Sequence, residues 1–245
     1  MDEVGNSKPV CLVTGGTSGI GLATAEKFLS EGYRLAICGR SMDKLSSARK
    51  KFLAKQNRGE VSLYACQVDL DSVDQAKRFA EKTIEQFGRI DVLVNNASKA
   101  PLNEFDAITP EEFESTINIG IRSIFYLTQT VWGQMKTQNA GTIVNVSSLA
   151  AVDPFPGFSL YGACKSWLDL MTQSLAKEGA DLGIRICSVR PGAVETPMLR
   201  GLFPEFPQDQ CVQPSAVADL IWDCVVDKDG HPSGQAFEIT NQPDS

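Results

Sequence analysis

The segment Pro9-Val-Cys-Leu-Val-Thr14, followed by Gly15-Gly-Thr-Ser-Gly-Ile-Gly21, decides the fold of this chain. The apolar run predicts a β-strand, and the apolar spacing after Gly21 predicts a helix that ends at Gly32. Strand, glycine-rich turn and helix are the first half of a βαβ unit that can hold a pyrophosphate at the helix N-terminus. The glycine spacing differs from the standard dinucleotide-binding fingerprint, so a simple tight turn remains the alternative at this point.

Six further short runs along the chain are predicted to be strands. They are 34–38, 61–68, 91–95, 142–146, 184–189 and 235–240, and most are separated by helix-length segments, including 41–56, 72–87 and 214–226. This alternation predicts an α/β fold: one doubly wound parallel sheet of about seven strands with helices on both faces, in a single domain. We expect residues 1–7 to form a flexible N-terminus and residues 241–245 a C-terminal tail.

Composition excludes several classes of protein. The 245 residues carry a net charge of −7, which argues against a nucleic-acid binder and a polybasic membrane-surface protein. The longest apolar run is shorter than the ~18 residues of a spanning helix, and the polar, acidic N-terminus does not resemble a signal peptide. Seven scattered cysteines without a C-x-x-C pair predict reduced thiols in the cytoplasm. With His231 as its one histidine, the chain is a poor candidate for a zinc site or a Ser-His-Asp triad.

The end of the second predicted strand indicates the cofactor. In dinucleotide folds an acid there binds the ribose of NAD, whereas an arginine accommodates the 2′-phosphate of NADP. Here the chain has Arg40 and Ser41 and no acid, which predicts NADP, with a surface arginine as the alternative. Asp69, after the third strand, is expected either to accept from the adenine amino group or to cap the next helix.

Tyr161 and Lys165 are the candidate catalytic pair. Apolar residues after them recur at helical spacing, so the two side chains are expected on one face of a helix, one turn apart. A free tyrosine has a pKa of about 10. A neighbouring ammonium lowers that pKa, so the pair predicts a phenol that exchanges a proton near neutrality. The alternative is an ordinary surface pair, and the rest of the chain argues against it.

Taken together, the motifs resemble those of a classical short-chain dehydrogenase/reductase, from about Lys8 to Thr240. The matching pieces are Thr14-Gly-Gly-Thr-Ser-Gly-Ile-Gly21, Asp69, Asn95-Asn96-Ala97, Asn118, Ser148, Tyr161-x-x-x-Lys165 and Pro191-Gly192 with Thr196. Such an enzyme, with a Rossmann-type fold, transfers a hydride between a nicotinamide cofactor and a carbonyl or secondary alcohol.

The resemblance also implies a role for each matching residue. Tyr161 would be the general acid or base, Lys165 would lower its pKa, Ser148 would hold the substrate oxygen, and Asn118 would anchor a water. The cofactor would contact Thr14, Gly15, Thr17, Ser18, Gly19, Ile20, Gly21, Arg40, Ser41, Asp69, Leu70, Asn95, Ala97, Tyr161, Lys165, Pro191, Gly192, Val194 and Thr196.

Two departures from the family pattern affect the predictions. Ser98 replaces a glycine beside the cleft, which predicts an altered backbone there. The chain also lacks the usual Asp-Gly-Gly ending, which favours a homodimer over a tetramer. The helices that begin near Pro110 and Ser159 resemble the family's dimer contact, where Phe125, Trp132 and Trp167 are expected either at the interface or in the core.

The segment 197–213 is the expected substrate lid. Its apolar side chains, with Phe155 and Phe158, favour a mainly apolar carbonyl substrate, although lid packing explains them as well. A 3-oxoacyl-acyl-carrier-protein-type reductase and a ketone reductase both fit. The alternatives are an NAD-dependent alcohol dehydrogenase and a nucleotide-sensing or scaffold protein without turnover. Cys164 is the cysteine expected to be accessible enough to react.

Overall fold

The computed structural model describes residues 8–54 and 63–241. The predicted N-terminal segment 1–7, the end of the helix at Gln56, the start of the strand at Val61 and nearly all of the tail lie outside the described residues. Within them, the strands are β1 Val10–Val13, β2 Arg34–Gly39, β3 Leu63–Gln67, β4 Val92–Asn95, β5 Gly141–Val146, β6 Ile184–Pro191 and β7 Ala236–Ile239.

All seven strands pair in parallel in one sheet, in the order β3-β2-β1-β4-β5-β6-β7. The predicted fold class is therefore confirmed. The strand order reverses between β1 and β4, where Cys11 is in register with Val92. In an open α/β sheet, the crevice beyond the carboxyl ends of such a strand pair is where ligands bind.

Eight α-helices connect the described strands. They are α1 Gly19–Ser30, α2 Met42–Leu53, α3 Val73–Phe87, α4 Pro110–Ile117, α5 Ser123–Gln138, α6 Ser159–Gly179, α7 Pro197–Leu202 and α8 Pro214–Val226. Successive strand residues point to opposite faces, so Cys11 and Val13 pack with Phe28 of α1 while Val10 and Leu12 pack with Phe79 of α3. The sheet is thus covered on both faces, which explains the continuous apolar runs in its central strands.

The helix predicted from Thr109 to about Lys136 is interrupted. Its start follows the prediction: Thr109 caps α4, Glu112 completes a capping box, and Pro110 occupies the first turn. A π-helical turn, Asn118–Arg122, then separates α4 from α5. Such turns are rare in proteins, and those that do occur are often found at functional sites.

Membrane crossing requires about 20 apolar residues in one helix. None of the helices in the described part of the chain is long and apolar enough for that.

Candidate active site

A cleft of about 1010 Å³ opens at the carboxyl ends of the strands, where the strand order reverses. This volume is at the upper end of the roughly 300–1,000 Å³ that is typical of ligand pockets. Most of the predicted site residues line it: Gly15, Thr17, Ser18, Gly19, Ile20, Arg40, Ser41, Leu70, Ala97, Ser148, Tyr161, Lys165, Pro191, Gly192, Val194 and Thr196.

The glycine-rich turn forms one wall of the cleft and leads into α1. Gly19 has a φ of 52° and a Cβ there would meet Thr196 Cγ2 at 3.0 Å, so a side chain at this position is strained. The Ser18 side chain makes no capping hydrogen bond to α1, although it lies at the N-cap position. A hydroxyl and the free N–H groups of a helix start therefore face the cleft, which is the donor set that suits a pyrophosphate.

Thr14 and Asn96 fasten the two central strands together beneath this wall. The Thr14 hydroxyl accepts from the backbone N–H groups of Asn96 and Ala97, both at 3.0 Å. The Asn96 amide in turn donates to the Thr14 carbonyl at 2.8 Å. Thr14 is buried and does not line the cleft, so it holds the backbone of the cleft wall in place through these hydrogen bonds.

The far end of the cleft, beyond β2, is basic. Arg40, Ser41 and Lys44 all line it, and Ser41 caps α2 by accepting from the Lys44 backbone N–H at 3.3 Å. Gln67 holds the loop by donating to the Arg40 carbonyl at 2.9 Å. Two cationic side chains at the positive end of a helix suit a phosphate group.

Ser148, Tyr161 and Lys165 meet at the opposite end of the cleft. Ser148 follows β5, and its hydroxyl accepts from the Ala150 N–H at 3.2 Å, which leaves its proton for donation. Tyr161 and Lys165 lie one turn apart on α6, as predicted, with the ammonium 5.5 Å from the centre of the phenol ring. Lys165 Nζ donates to the Val146 carbonyl at 2.7 Å.

The charges of this pair differ from the prediction. Burial raises the pKa of the Tyr161 phenol, and a hydrogen bond with Ser148 opposes that rise only in part. Burial also lowers the pKa of Lys165 to about 8. Desolvation is therefore the main cause of both shifts, and for the phenol its direction is opposite to the prediction. The result is a protonated phenol at neutral pH, which is a proton donor.

Asn118, the residue expected to anchor a water, does not lie with these three residues on the cleft wall. It lies in the π-helical turn, where its amide donates to Asp71 Oδ1 at 2.7 Å and its oxygen accepts from Arg122 at 2.7 Å. The hydrogen bond from the Asn118 amide also lowers the pKa of the Asp71 carboxyl. The side chain therefore ties this turn to the loop before α3 and does not line the cleft.

Three further predicted positions lie off the cleft wall. Asn95 is 1% exposed and donates to Thr128 and Asn145 inside the core, because its side chain belongs to a buried polar chain between strands. Gly21 is buried behind the turn, where a Cβ would meet the Gly15 carbonyl oxygen at 2.4 Å. Asp69 accepts from the Asp71 N–H in the turn before α3. It does not cap that helix either, since Ser72 does so.

Two expectations about side chains near the cleft are also corrected. Cys164 is buried on α6 against Gly120, and burial raises the pKa of its thiol, so it is not the accessible cysteine expected. Ser98 lines the cleft without a positive φ, so it needs no unusual backbone. All seven cysteines are free thiols.

The predicted lid contains the short helix α7 and lies over the end of the cleft that holds Ser148, Tyr161 and Lys165, which we call the catalytic end. Phe203 packs on Phe155 and Phe158, with ring centres 6.0 and 6.2 Å apart, and Phe158 lies 5.1 Å from Tyr161. Arg200 fixes the lid by donating to Glu195 at 2.8 Å and to the Phe206 carbonyl at 2.6 Å. The catalytic end is thus lined mainly by apolar and aromatic groups.

The structure adds two positions on the cleft wall that the sequence does not single out. Lys44 lies three residues after the cap Ser41, on the first turn of α2, and lines the cleft. A lysine in a helix rich in charged residues does not stand out in the sequence. Asp153 is the acid among the described residues that line this cleft, and no pattern in the sequence indicates that position.

Comparisons with known proteins agree with this geometry. The model of the short-chain dehydrogenase family matches residues 9–206. The chain is 36% identical over 239 residues to the 3-oxoacyl-(acyl-carrier-protein) reductase FabG of Thermotoga maritima, covering 94% of this chain and 95% of that protein.

Solved structures give the same result. An actinorhodin polyketide ketoreductase with NADPH has a TM-score of 0.86 and 28% identity, over 95% of each chain. A 3-ketoacyl-(acyl-carrier-protein) reductase from Brucella melitensis complexed with NADH has a TM-score of 0.84 and 25% identity, over 95% of this chain and 97% of that one. With the family model, the relatives and the fold in agreement, this chain belongs to the short-chain dehydrogenase family.

Proposed function

We propose that this oxidoreductase is an NADPH-dependent reductase of small, mainly apolar ketones. The observation that carries the proposal is the convergence of Ser148, Tyr161 and Lys165 on the cleft that the glycine-rich turn and Arg40 also line. A dinucleotide fits this donor set, because the helix start and Ser18 suit the pyrophosphate and Thr196 and Gly192 lie toward the catalytic end. When bound, the cofactor supplies the hydride.

The proposed chemistry of the residues follows from their hydrogen bonds. The substrate carbonyl oxygen accepts from the Ser148 hydroxyl and the Tyr161 phenol, which polarises the carbonyl carbon toward hydride. Tyr161 then gives its proton to that oxygen, and this proton together with a hydride delivered to the carbonyl carbon would convert the ketone to an alcohol. The nearby Lys165 ammonium stabilises the phenolate that remains, and its charge is needed at that moment.

NADP is the proposed cofactor because Arg40 and Lys44, both at the far end of the cleft, form no salt bridge with a described residue; Arg40 acts on the Asp71 carboxylate only through its longer-range charge. The test is kcat/KM with NADPH and NADH for wild type and Arg40→Ala. We expect the variant to lose about 10- to 100-fold with NADPH, the value of one charge-assisted hydrogen bond or a little more, and little with NADH. If the wild-type kcat/KM is equal with the two cofactors, or higher with NADH, an NAD-dependent alcohol dehydrogenase is favoured instead.

The apolar lid supports an uncharged substrate. Purified protein with NADPH is offered a cyclic aliphatic ketone, an aryl ketone, a 3-oxoacyl thioester and a 2-oxo acid, and NADPH absorbance is followed. We expect the uncharged ketones to be reduced with the highest kcat/KM, because Phe155, Phe158 and Phe203 offer no partner to a carboxylate. If NADPH binds and no carbonyl is reduced, the chain acts as a nucleotide-sensing or scaffold protein.

A homodimer in the cytoplasm completes the proposal. Phe113, Phe125 and Leu170 expose 46, 43 and 65% of their surface on α4, α5 and α6, the helices that the family resemblance places in a dimer contact. Trp132 on α5 is partly buried, packed against the core. Light scattering of the full chain tests the dimer: Phe125→Lys should give monomers, whereas an unchanged mass would exclude this face.

A further inference from the structure

Asp169 is a buried carboxylate to which the proposed reaction gives no role. It is 5% exposed and lies on α6 four residues after Lys165, which itself lies four residues after Tyr161. Positions four apart share one face of a helix, about one turn of 5.4 Å from each other. The catalytic pair is thus continued by an acid on the side away from the cleft.

The hydrogen bonds of Asp169 leave one carboxylate oxygen unsatisfied. Oδ2 accepts from Arg190 Nε at 2.7 Å, and Arg190 also donates to Glu238 Oε1 at 3.3 Å. No donor of the described residues reaches Oδ1, which is fully buried. A buried acceptor without a partner is costly, and a buried ion pair is weak evidence for stability. An anchor between α6 and β6 does not by itself explain a carboxylate here.

The charges around Asp169 have a net sign that suits Lys165. Arg190 on β6 lies between Asp169 on α6 and Glu238 on β7, so the three groups together carry one net negative charge. Glu238 is half exposed and screened by solvent, and Asp169 and Arg190 alone cancel in net charge. Lys165 therefore senses a reduced negative charge, which comes from the Asp169 carboxylate and raises the pKa of its ammonium. The other titratable groups facing Lys165 are the Tyr161 phenol and the Cys164 thiol on the same helix, and both are neutral at pH 7 because burial raises their pKa values.

We propose that Asp169 is a positioning residue that acts through Lys165: its carboxylate keeps the buried ammonium charged, and its bond to Arg190 fixes α6 against the strand that ends in Pro191. Lys165 loses hydration in the core and has the Val146 carbonyl as its hydrogen-bond acceptor. A fixed negative charge one turn away offsets that loss. Arg190 limits the effect, because it shares the same carboxylate.

The direct test measures the pKa of Lys165 by NMR of protein with ¹³C-labelled lysine, with the signal assigned through Lys165→Met. Asp169→Asn should lower that pKa by about one unit, the lower end of the shift from one nearby opposite charge. Arg190→Gln should raise it, because the Asp169 charge then acts on Lys165 alone. Glu178→Gln, which removes an exposed acid from the same helix, should leave it unchanged.

The outcomes separate this inference from a structural role and from the proposed function, on which its catalytic meaning rests. An unchanged Lys165 pKa in Asp169→Asn, or an equal shift in Glu178→Gln, overturns the inference. If Asp169→Asn does not fold, Arg190→Gln decides: a rise supports the inference and no rise overturns it. The NMR signal needs no substrate, so absence of turnover contradicts the reductase alone. With turnover, the alkaline limb of kcat/KM should follow the NMR shift in each variant.

Discussion

The two ends of the cleft are built in different ways. At the cofactor end the groups that face the cleft are backbone N–H groups, glycines and partly exposed cations, held by the local turn after β1 and by the start of α2. At the catalytic end, Ser148 and Tyr161 come from separate elements and Lys165 is buried, so their properties depend on long-range packing. The positions of the groups at the cofactor end therefore follow from local chain geometry, whereas the pKa values at the catalytic end follow from desolvation.

This difference determines what a substitution does at each end. A change at the cofactor end should alter binding with little effect on the chemical step, because it moves backbone or removes a screened charge. A change at the catalytic end should alter kcat while binding persists, because it removes a group that acts only in the transition state.

Tyr161→Phe should have the largest effect. We expect kcat for ketone reduction to fall by about 10²–10⁴-fold, the usual contribution of a positioned proton donor. NADPH affinity, measured by fluorescence titration, should stay within about twofold, since the ring and its packing on Phe158 remain. Tyr126→Phe, which changes an exposed tyrosine on α5, is the matched control and should behave as wild type. Equal kcat in both variants would falsify the assigned proton donor.

Gly21→Ala should break the cofactor end. The added Cβ would lie 2.4 Å from the Gly15 carbonyl oxygen, so the turn must move. Overpacking of this kind costs about 1–3 kcal/mol, and we expect NADPH binding to weaken by on the order of tenfold or more.

The control for this variant is Gly133→Ala, which adds the same methyl group to α5 with nothing within 4 Å. It should keep NADPH affinity and raise the free energy of unfolding by about 0.5–1 kcal/mol. Similar affinities for the two variants would contradict the close approach at Gly21.

The pH dependence sharpens the contrast, because only the catalytic end has a group that titrates near neutrality. The pKa of Lys165 is about 8, lowered from its usual value by burial, so its ammonium is present below that pH and is lost above it. We expect kcat/KM for reduction to fall about tenfold between pH 7 and pH 9, while Tyr161 stays protonated. A profile that is flat to pH 10 would show that the Lys165 charge is not required.

Lys44→Ala should give the smallest effect. Lys44 is exposed and lines the basic end of the cleft beside Arg40, so solvent screens its charge. We expect kcat/KM with NADPH to fall by about three- to fivefold, as for a partly exposed ion pair, and kcat/KM with NADH to stay constant. Lys136→Ala, an exposed lysine on α5, is the control. A loss with both cofactors would indicate damage to α2 instead of a lost phosphate contact.

Most of the fold could be predicted because its signals are local. The strands are short buried runs, and the proline at the start of α8 and the capping box of α4 set helix ends that the structure reproduces. The π-helical turn Asn118–Arg122 could not be predicted, because its extra residue is accommodated by contacts with Asp71 and with α6. The short helix α7 was missed because six residues show no clear period.

The sequence predicts many of the residues that line the cleft, but it does not predict the pKa values of Tyr161 and Lys165. The i, i+4 spacing placed Tyr161 and Lys165 correctly, since helix geometry is local. Their pKa values depend on burial, which spacing does not reveal. The direction of the Asn95 side chain likewise depends on partners 33 and 50 residues away in the chain. That of Asn118 depends on Asp71, which is 47 residues away.

The proposed hydride transfer requires both ends of the cleft, because the cofactor binds at one end and the ketone is protonated at the other. The protein is supplied with NADPH deuterated at both C4 positions and an apolar ketone that it reduces, and the alcohol is analysed by mass spectrometry. The account predicts one deuterium on the carbinol carbon with wild type and a loss of product with Tyr161→Phe at unchanged NADPH affinity. Bound NADPH with no deuterated alcohol from any ketone offered would contradict it.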